Sequence, residues 1–277
     1  TRILANDGID VSGKMALEQA GIEVVTTHIP QDELIVGLKD FDGIIVRSAT
    51  KVRQPLIDAL PNLRVIARGG VGMDNIDVEY AQSKGIQVIN TPAASSNSVA
   101  ELVFAHIFSL KRMLNKANRQ MPIEGHERFN ALKKDYAQGT ELMGKTLGII
   151  GIGRIGQACA RIALGLGMQV IAYDPYIPNV TIDLTFSTVR KKTISFKIKT
   201  TSLQKVLKNA DILTLHIPGS DQPIIGKKEL SKMKRGSVII NASRGGVIDE
   251  NALLQALNVG KLAGAGLDVF ASAGGWG

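Results

Sequence analysis

Cys159 is the only cysteine in the 277 residues, so no internal disulfide can form. That lack favours a reducing setting, and a cytoplasmic protein is expected. Aromatic residues are scarce, at 4% of the chain. They are not interleaved with basic residues in the stacking pattern that single-strand nucleic-acid binders use. The formal net charge of +8 therefore reads as a solvated basic face, and no nucleic-acid partner is expected. No apolar run reaches the roughly 18 residues a spanning helix needs, so no membrane partner is expected either. The opening TRILANDGID is broken by Asp and Gly and does not read as a signal peptide. No metal site is expected.

What the chain does have is apolar content and rhythm. At 44% apolar and 21% charged residues, it can bury a substantial core, and its length is comfortable for two domains. Short β-branched runs recur at RILA (2–5), IEVVTT (22–27), GIIVR (43–47), RVIAR (64–68) and IQVIN (86–90). Helical stretches such as 13–20 and 54–60 lie between them. A second series runs through TLGIIG (146–151), MQVIAYD (168–174), DILTLHI (211–217), SVIIN (237–241) and AGLDVF (265–270). Strands alternating with helices argue for parallel βαβ units, and nearly all-apolar strands for sheets covered on both faces. The fold expected is α/β: two Rossmann-like or flavodoxin-like domains with parallel sheets and a cleft between them. A buried strand is expected from Ala263 to Phe270.

NTPAASSNSVAEL marks the boundary, placed near residue 94, which gives domains 1–94 and 95–277. Ser98 and Glu101 have capping-box spacing ahead of LVFAHIFSL. That run is apolar almost all round, which suits a core helix or one packed between domains or subunits. Residues 181–202 break the rhythm. Their period-two alternation around Arg190, Lys191 and Lys192 reads as an inserted β-hairpin, solvent-facing in the plain reading and a subunit contact or cofactor lid in the sharper one.

LGIIGIGRIGQACARIA carries G-x-G-x-x-G at Gly151, Gly153 and Gly156, after an apolar strand and at the start of a helix. The first glycine permits the tight turn, the second lets backbone approach a pyrophosphate, and the third lets helix and strand pack closely. The helix amino terminus adds unpaired N–H groups and a favourable dipole. Asp174 follows the next strand at the spacing of a ribose-binding carboxylate, which argues for NAD rather than NADP. Arg244 lies just past the strand ending at Asn241, where ligands of open α/β sheets bind, and its planar charged fork suits a carboxylate. In the first half, Gly69, Gly70 and Gly72 allow the amides near Val71 and Gly72 to cradle a carboxylate. Arg47 and Ser48, at another strand end, suit a second anionic group.

VRSATKV, RGGVGMDNID, NTP followed by SVAEL, GKTLGIIGIGRIG, NASRGGVIDE and GLDVF occur in this order. Together they resemble the D-isomer-specific 2-hydroxyacid dehydrogenases over residues 2–270, and most closely the members that oxidise D-3-phosphoglycerate. The insertion at 181–202 is the main internal departure. The resemblance implies an NAD-dependent hydride transfer at C2 of a phosphorylated 2-hydroxy acid, by a homodimer or higher homo-oligomer. It assigns Arg244 as the catalytic arginine. It assigns Arg154, Ile155, Asp174, His216, Ile217, Pro218, Ala242, Ser243, Arg244 and Asp268 as cofactor contacts, with the glycines. It assigns Val71 and Gly72 to the substrate carboxylate and Arg47 and Arg68 to the substrate phosphate. The family also uses a glutamate and a histidine for proton transfer. Ala273 stands where the glutamate is expected, and none of His28, His106, His126 and His216 matches the histidine. The expectation is therefore a truncated enzyme. The alternatives are another D-2-hydroxyacid dehydrogenase or a non-catalytic, NAD-sensing partner-binding protein of the same fold.

Overall fold

The structure is a computed structural model that describes residues 1–186 and 192–271. The chain divides into two compact units, Thr1–Ser95 and Ser96–Gly277.

In the first unit, β1 (Arg2–Ala5), α1 (Val11–Gln19), β2 (Glu23–Val25), α2 (Leu34–Gly37), β3 (Gly43–Val46), α3 (Gln54–Asp58), β4 (Val65–Arg68), α4 (Val78–Ser83) and β5 (Gln87–Asn90) alternate along the chain. The strands form one sheet in the order β2-β1-β3-β4-β5, and every pairing is parallel. Leu4, Ile44, Val46 and Ile66 are fully buried, as strands covered on both faces require. They pack with Leu34, Leu38, Val52 and Ala81 into one core.

The second unit opens with α5 (Ser96–Lys111) and α6 (Leu114–Tyr136). It continues with β6 (Thr146–Ile150), α7 (Arg154–Gly165), β7 (Gln169–Tyr173), β8 (Asn179–Phe186), β9 (Lys192–Lys199) and α8 (Leu203–Asn209). It ends with β10 (Ile212–Leu215), α9 (Lys227–Lys232), β11 (Ser237–Asn241), α10 (Glu250–Asn258) and β12 (Leu262–Leu267). Its main sheet runs β12-β11-β10-β6-β7, again parallel throughout. The strand order reverses at β6, whose chain-successor β7 lies on one side and β10 on the other. Such a switch point opens a crevice at the carboxyl ends of the strands. Two apolar layers cover the sheet, one built on α5 and α7, the other on α8 and α10.

The expected hairpin forms: β8 and β9 pair antiparallel from Asn179↔Lys199 to Phe186↔Lys192. One face carries Val180, Ile182, Leu184, Ile194, Phe196 and Ile198, as period-two alternation dictates. Ile182 and Ile198 are buried in the unit's core, while Ile194 and Phe196, the ladder partner of Ile182, are exposed. The hairpin is therefore anchored to the domain through Ile182 and Ile198 at its base, while its other face and its outer half are exposed. Arg190 and Lys191 lie outside the described residues.

Three local expectations are corrected. Helix α5 begins at Ser96, so Ser98 sits inside its first turn and does not form a cap with Glu101. The turn at 92–95 winds into the helix before the S-x-x-E spacing begins. The run LVFAHIFSL is not a core helix buried all round: Val103, Phe104 and Ile107 are buried, but Leu102 and Phe108 are exposed, which leaves only the packed-helix alternative. The last strand runs from Leu262 to Leu267, not to Phe270, because its neighbour β11 ends at Asn241 and the paired register ends with Leu267. Phe270 lies beyond it, exposed.

Gly148 shows how tightly this sheet is covered. A β-carbon there would lie 2.6 Å from Ala210 Cβ and 2.9 Å from Val206 Cγ1 of α8. Gly148→Ala should destabilise the chain by about 1–3 kcal/mol through overpacking. Urea unfolding measures it, and an unchanged midpoint would show that α8 moves aside freely.

Candidate functional site

The carboxyl edge of the second sheet gathers the loops that the sequence singles out. Because β6, β10 and β11 are neighbours in the ladder, the turn at Gly151, the segment His216–Pro218 and the loop Ala242–Arg244 stand side by side. Asp174 follows β7 at one end of the row, and Asp268 follows β12 at the other.

Close contact governs the glycine turn. Gly151 has φ +88°, a conformation that glycine adopts without strain. Its N–H donates to Tyr173 O at 2.8 Å, and His216 N–H donates to Ile150 O at 2.8 Å. A β-carbon on Gly151 would collide with the His216 carbonyl oxygen, and one on Gly156 would collide with the Gly151 carbonyl oxygen. Gly153 differs, because nothing lies within 4 Å of its β-carbon position. It is the N-cap of α7, and no side chain caps that helix start. The turn therefore leaves open space and unpaired helix amides together, which fits the pyrophosphate of a dinucleotide. Arg154, exposed, and Ile155, partly buried, follow in the first turn.

Asp174 does more than the spacing indicates. Its Oδ2 accepts from Ile152 N–H at 3.0 Å, and its Oδ1 accepts from Tyr176 N–H at 2.9 Å and Ile177 N–H at 3.0 Å. A carboxylate offers about four lone-pair positions, so these bonds orient the group and leave room for a ribose hydroxyl. The carboxylate pins the glycine turn to the end of β7.

Arg244 is half-buried, and its Nη1 donates to Ser243 O at 2.8 Å. Its loop is folded by Asn241, a buried residue that the sequence reading passed over. Asn241 Nδ2 donates to Arg244 O at 2.9 Å, while its Oδ1 accepts from Ser243 N–H at 3.1 Å and Ser243 Oγ at 2.8 Å. Asp268 N–H donates to Asn241 O at 3.0 Å, tying the next loop to the same residue. An amide at the end of an apolar strand was the only sequence signal for this role. Ile217 packs against the Gly151 turn, and Pro218 is exposed.

In the first unit, β3 and β4 are neighbours, which brings Arg47 and Ser48 beside Arg68, Val71 and Gly72. Two residues not anticipated from the sequence build this edge. Asp7 accepts from Arg47 N–H at 2.6 Å, Thr50 N–H at 3.1 Å and Thr50 Oγ1 at 2.5 Å. Burial would raise the pKa of its carboxyl, but these bonds and the charge of His28 bring it below the usual value. Asn75 Nδ2 donates to Arg47 O at 2.9 Å and Thr50 O at 2.6 Å, and its Oδ1 accepts from Arg68 Nε at 3.3 Å. Asn90 Nδ2 donates to Val71 O at 2.7 Å. Among the described residues the Arg47 guanidinium makes no ion pair, and Val71 is exposed. Ala273 lies outside the described residues. No group of three metal-ligating side chains occurs among the described residues, and no helix there is long and apolar enough to cross a membrane.

A glycine turn at the switch point of a parallel sheet, opening an uncapped helix, defines a dinucleotide-binding α/β protein of the Rossmann type. The family profile described as D-isomer specific 2-hydroxyacid dehydrogenase, NAD binding domain, matches residues 104–273. A hydroxypyruvate reductase of Thermotoga maritima is 40% identical over 97% of this chain and 82% of its own length. A D-3-phosphoglycerate dehydrogenase of Methanocaldococcus jannaschii is also 40% identical over 97% of this chain, which spans 49% of that relative. The crystal structure of a D-lactate dehydrogenase from Aquifex aeolicus, complexed with NAD and lactic acid, superposes with a TM-score of 0.72 at 31% identity, covering 98% of this chain and 78% of its own. The chain belongs to the D-isomer specific 2-hydroxyacid dehydrogenases and carries their NAD binding domain.

Two predictions test this site. Gly153→Ala should leave stability within about 0.5 kcal/mol of the parent, the range of substitutions that touch nothing, yet weaken NAD binding, because a methyl group would enter the open space. Gly156→Ala should lower both. Equal losses of NAD affinity and melting temperature in the Gly153 variant would remove its cofactor role. The second concerns His216, whose pKa burial lowers from 6.5 to about 4. The folded state thus keeps the ring neutral, and its contribution to stability is complete above pH 6.5. It should be lost as pH falls from 6.5 towards 4, by at most about 1.4 kcal/mol per pH unit. Urea unfolding between pH 7 and 5 checks this against His216→Asn, which should show a flatter slope.

Proposed function

We propose that this chain binds NAD in its second unit and a phosphorylated D-2-hydroxy acid in its first, and that the intact protein oxidises D-3-phosphoglycerate to 3-phosphohydroxypyruvate. The observation that carries the substrate reading is Arg47. Its main chain is held by Asp7 and Asn75 at the sheet edge, while its guanidinium has no ion-pair partner among the described residues. A held backbone with an unengaged charged fork suits an anionic group.

When bound, NAD supplies the acceptor of a hydride from C2. The chain's own groups bind and orient. The helix α7 amides and the space at Gly153 receive the pyrophosphate. Asp174 accepts from a ribose hydroxyl and disfavours the additional phosphate of NADP. Ile155, His216–Pro218, Ala242, Ser243 and Asp268 line the rest of the cofactor's course, with Arg154 at the helix start. Arg244 is the arginine of the second unit that holds and polarises the substrate. In the first unit, the amides of Val71 and Gly72 cradle a carboxylate. Arg68, with Ser48, assists Arg47 at the phosphate. The C2 hydroxyl must also release a proton. His216 does not serve as its acceptor: burial makes it a weak base, and its Nε2 already faces Cys159 and Thr214. We assign the protein as a homo-oligomer working in the cytoplasm.

Hydroxypyruvate reduction is the second reading. It is favoured by the similarity to the Thermotoga maritima protein, of which this chain covers the larger share. Substrate comparison separates the two. If Arg47 reads a phosphate, Arg47→Ala should lower kcat/KM for D-3-phosphoglycerate by roughly 10- to 150-fold, the loss of one charge-assisted contact worth about 1.5–3 kcal/mol. The rate on D-glycerate should barely change. A uniform loss on both substrates, followed by NADH absorbance, would end the phosphate reading in favour of the second.

A further inference from the structure

Beneath the glycine turn lies a group of polar side chains that cofactor contact does not explain. His216 Nε2 lies 3.0 Å from Thr214 Oγ1 and 3.3 Å from Cys159 Sγ. Thr214 belongs to β10 and is fully buried, and Cys159 lies on α7 and is fully buried too. The His216 Nδ1 is buried without a partner. The ring therefore bridges the glycine helix and the strand whose end presses on Gly151.

The protonation states are fixed by burial. Burial raises the Cys159 thiol pKa to about 12 and lowers that of His216 to about 4, so both are neutral at pH 7. A buried N–H without an acceptor is rare in native structures. The unpartnered Nδ1 thus places the ring proton on Nε2, where Thr214 Oγ1 accepts it and the Cys159 sulfur lies within reach as a weaker acceptor.

We propose that Thr214 and Cys159 are positioning residues for the dinucleotide: they hold the His216 ring as a strut between α7 and β10, and so fix the turn that receives the pyrophosphate. The geometry leads from one contact to the next. The His216 main chain donates to Ile150 O and its carbonyl oxygen abuts Gly151. Anchoring the ring to α7 and β10 restrains the Cα to which it is attached, and with it the main chain on which the turn closes; the turn has no spare space on that side. Neither Thr214 nor Cys159 is required to touch the cofactor. The inference rests on the reading that this turn holds NAD.

Two measurements test it, and the single cysteine makes the second unambiguous. In the first, NAD affinity is titrated for Thr214→Val, which keeps the side-chain shape but removes the acceptor, and for Thr214→Ser, which restores a hydroxyl. The valine variant should bind NAD about five- to tenfold more weakly, the scale of one lost hydrogen bond. The serine variant, which keeps the hydrogen bond to the ring, should bind within about twofold of the parent, below the scale of one lost hydrogen bond. Equal affinity of the two variants would overturn the proposal. In the second, alkylation of Cys159 by iodoacetamide is followed by mass spectrometry. Without NAD, Thr214→Val should react faster than the parent and Thr214→Ser should match it. Bound NAD should slow the parent's reaction, by about 100-fold at 100 times its Kd if opening and binding exclude each other. A rate indifferent to bound NAD would overturn the coupling to the cofactor. Should the parent bind no NAD at all, the cofactor reading of the turn fails, and the coupling to the cofactor falls with it. The cofactor-free alkylation rates then still judge the strut, and equal rates for the valine and serine variants would overturn it as well.

Discussion

The approach of three main-chain segments at Gly151 is the constraint on which the second unit depends. The turn leaves β6, passes under the carbonyl of His216 and meets the start of α7 at Gly156. Each passage is closer than a β-carbon allows, so the two glycines are set by sterics before any ligand is considered. The parallel ladder makes the approach unavoidable, since β10 runs beside β6 and its next residue must pass the turn. Asp174 secures the opposite side by accepting from Ile152 N–H. The dinucleotide site is what remains after these contacts are made: open space at Gly153 and uncapped amides at the head of α7.

The first unit solves a similar problem with polar side chains. Its sheet edge is organised by Asp7 and Asn75, which bind the loop after β3 through main-chain groups. The energetic logic differs from that of the glycine turn. A partly buried carboxylate still loses hydration, and at Asp7 three bonds from two residues replace it. The result is a loop whose backbone is fixed while, among the described residues, the Arg47 guanidinium makes no ion pair. Fixing the main chain lowers the ordering cost of binding an anion there.

The inserted hairpin obeys the same rule of partial commitment. Its base joins the core through Ile182 and Ile198, and its outer apolar residues are left exposed. A two-stranded hairpin is marginal in water by itself, so the buried base is what holds it. Its length adds little to the loop-closure cost, because that cost grows only logarithmically.

The sequence by itself determined the architecture and the chemical class. Apolar runs at regular intervals require parallel sheets covered on both faces, and G-x-G-x-x-G between a strand and a helix requires a close-packed turn open to an anion. Arg47, Arg244 and Asp174, each past the end of a strand, and Arg68, at the end of one, could be placed on a sheet edge from the sequence, because parallel topology sends the strand ends of a sheet to one edge. The motif order over residues 2–270 marked the family. Tertiary structure alone decided which residues hold those loops in place. Asp7 and Asn75 act through bonds to main-chain atoms up to 43 residues away in the chain, and nothing in their local pattern announces it, while Asn241 folds its own loop through bonds two and three residues on. Cys159, Thr214 and His216 meet because α7 packs on β6, whose ladder neighbour is β10, an arrangement invisible to spacing along the chain. The helix start at Ser96 and the strand end at Leu267 were likewise set by neighbours: a preceding turn in one case, the length of β11 in the other. Periodicity encodes which face is buried. It does not encode which distant backbone group a buried polar side chain will find, because that partner exists only once the strands are aligned.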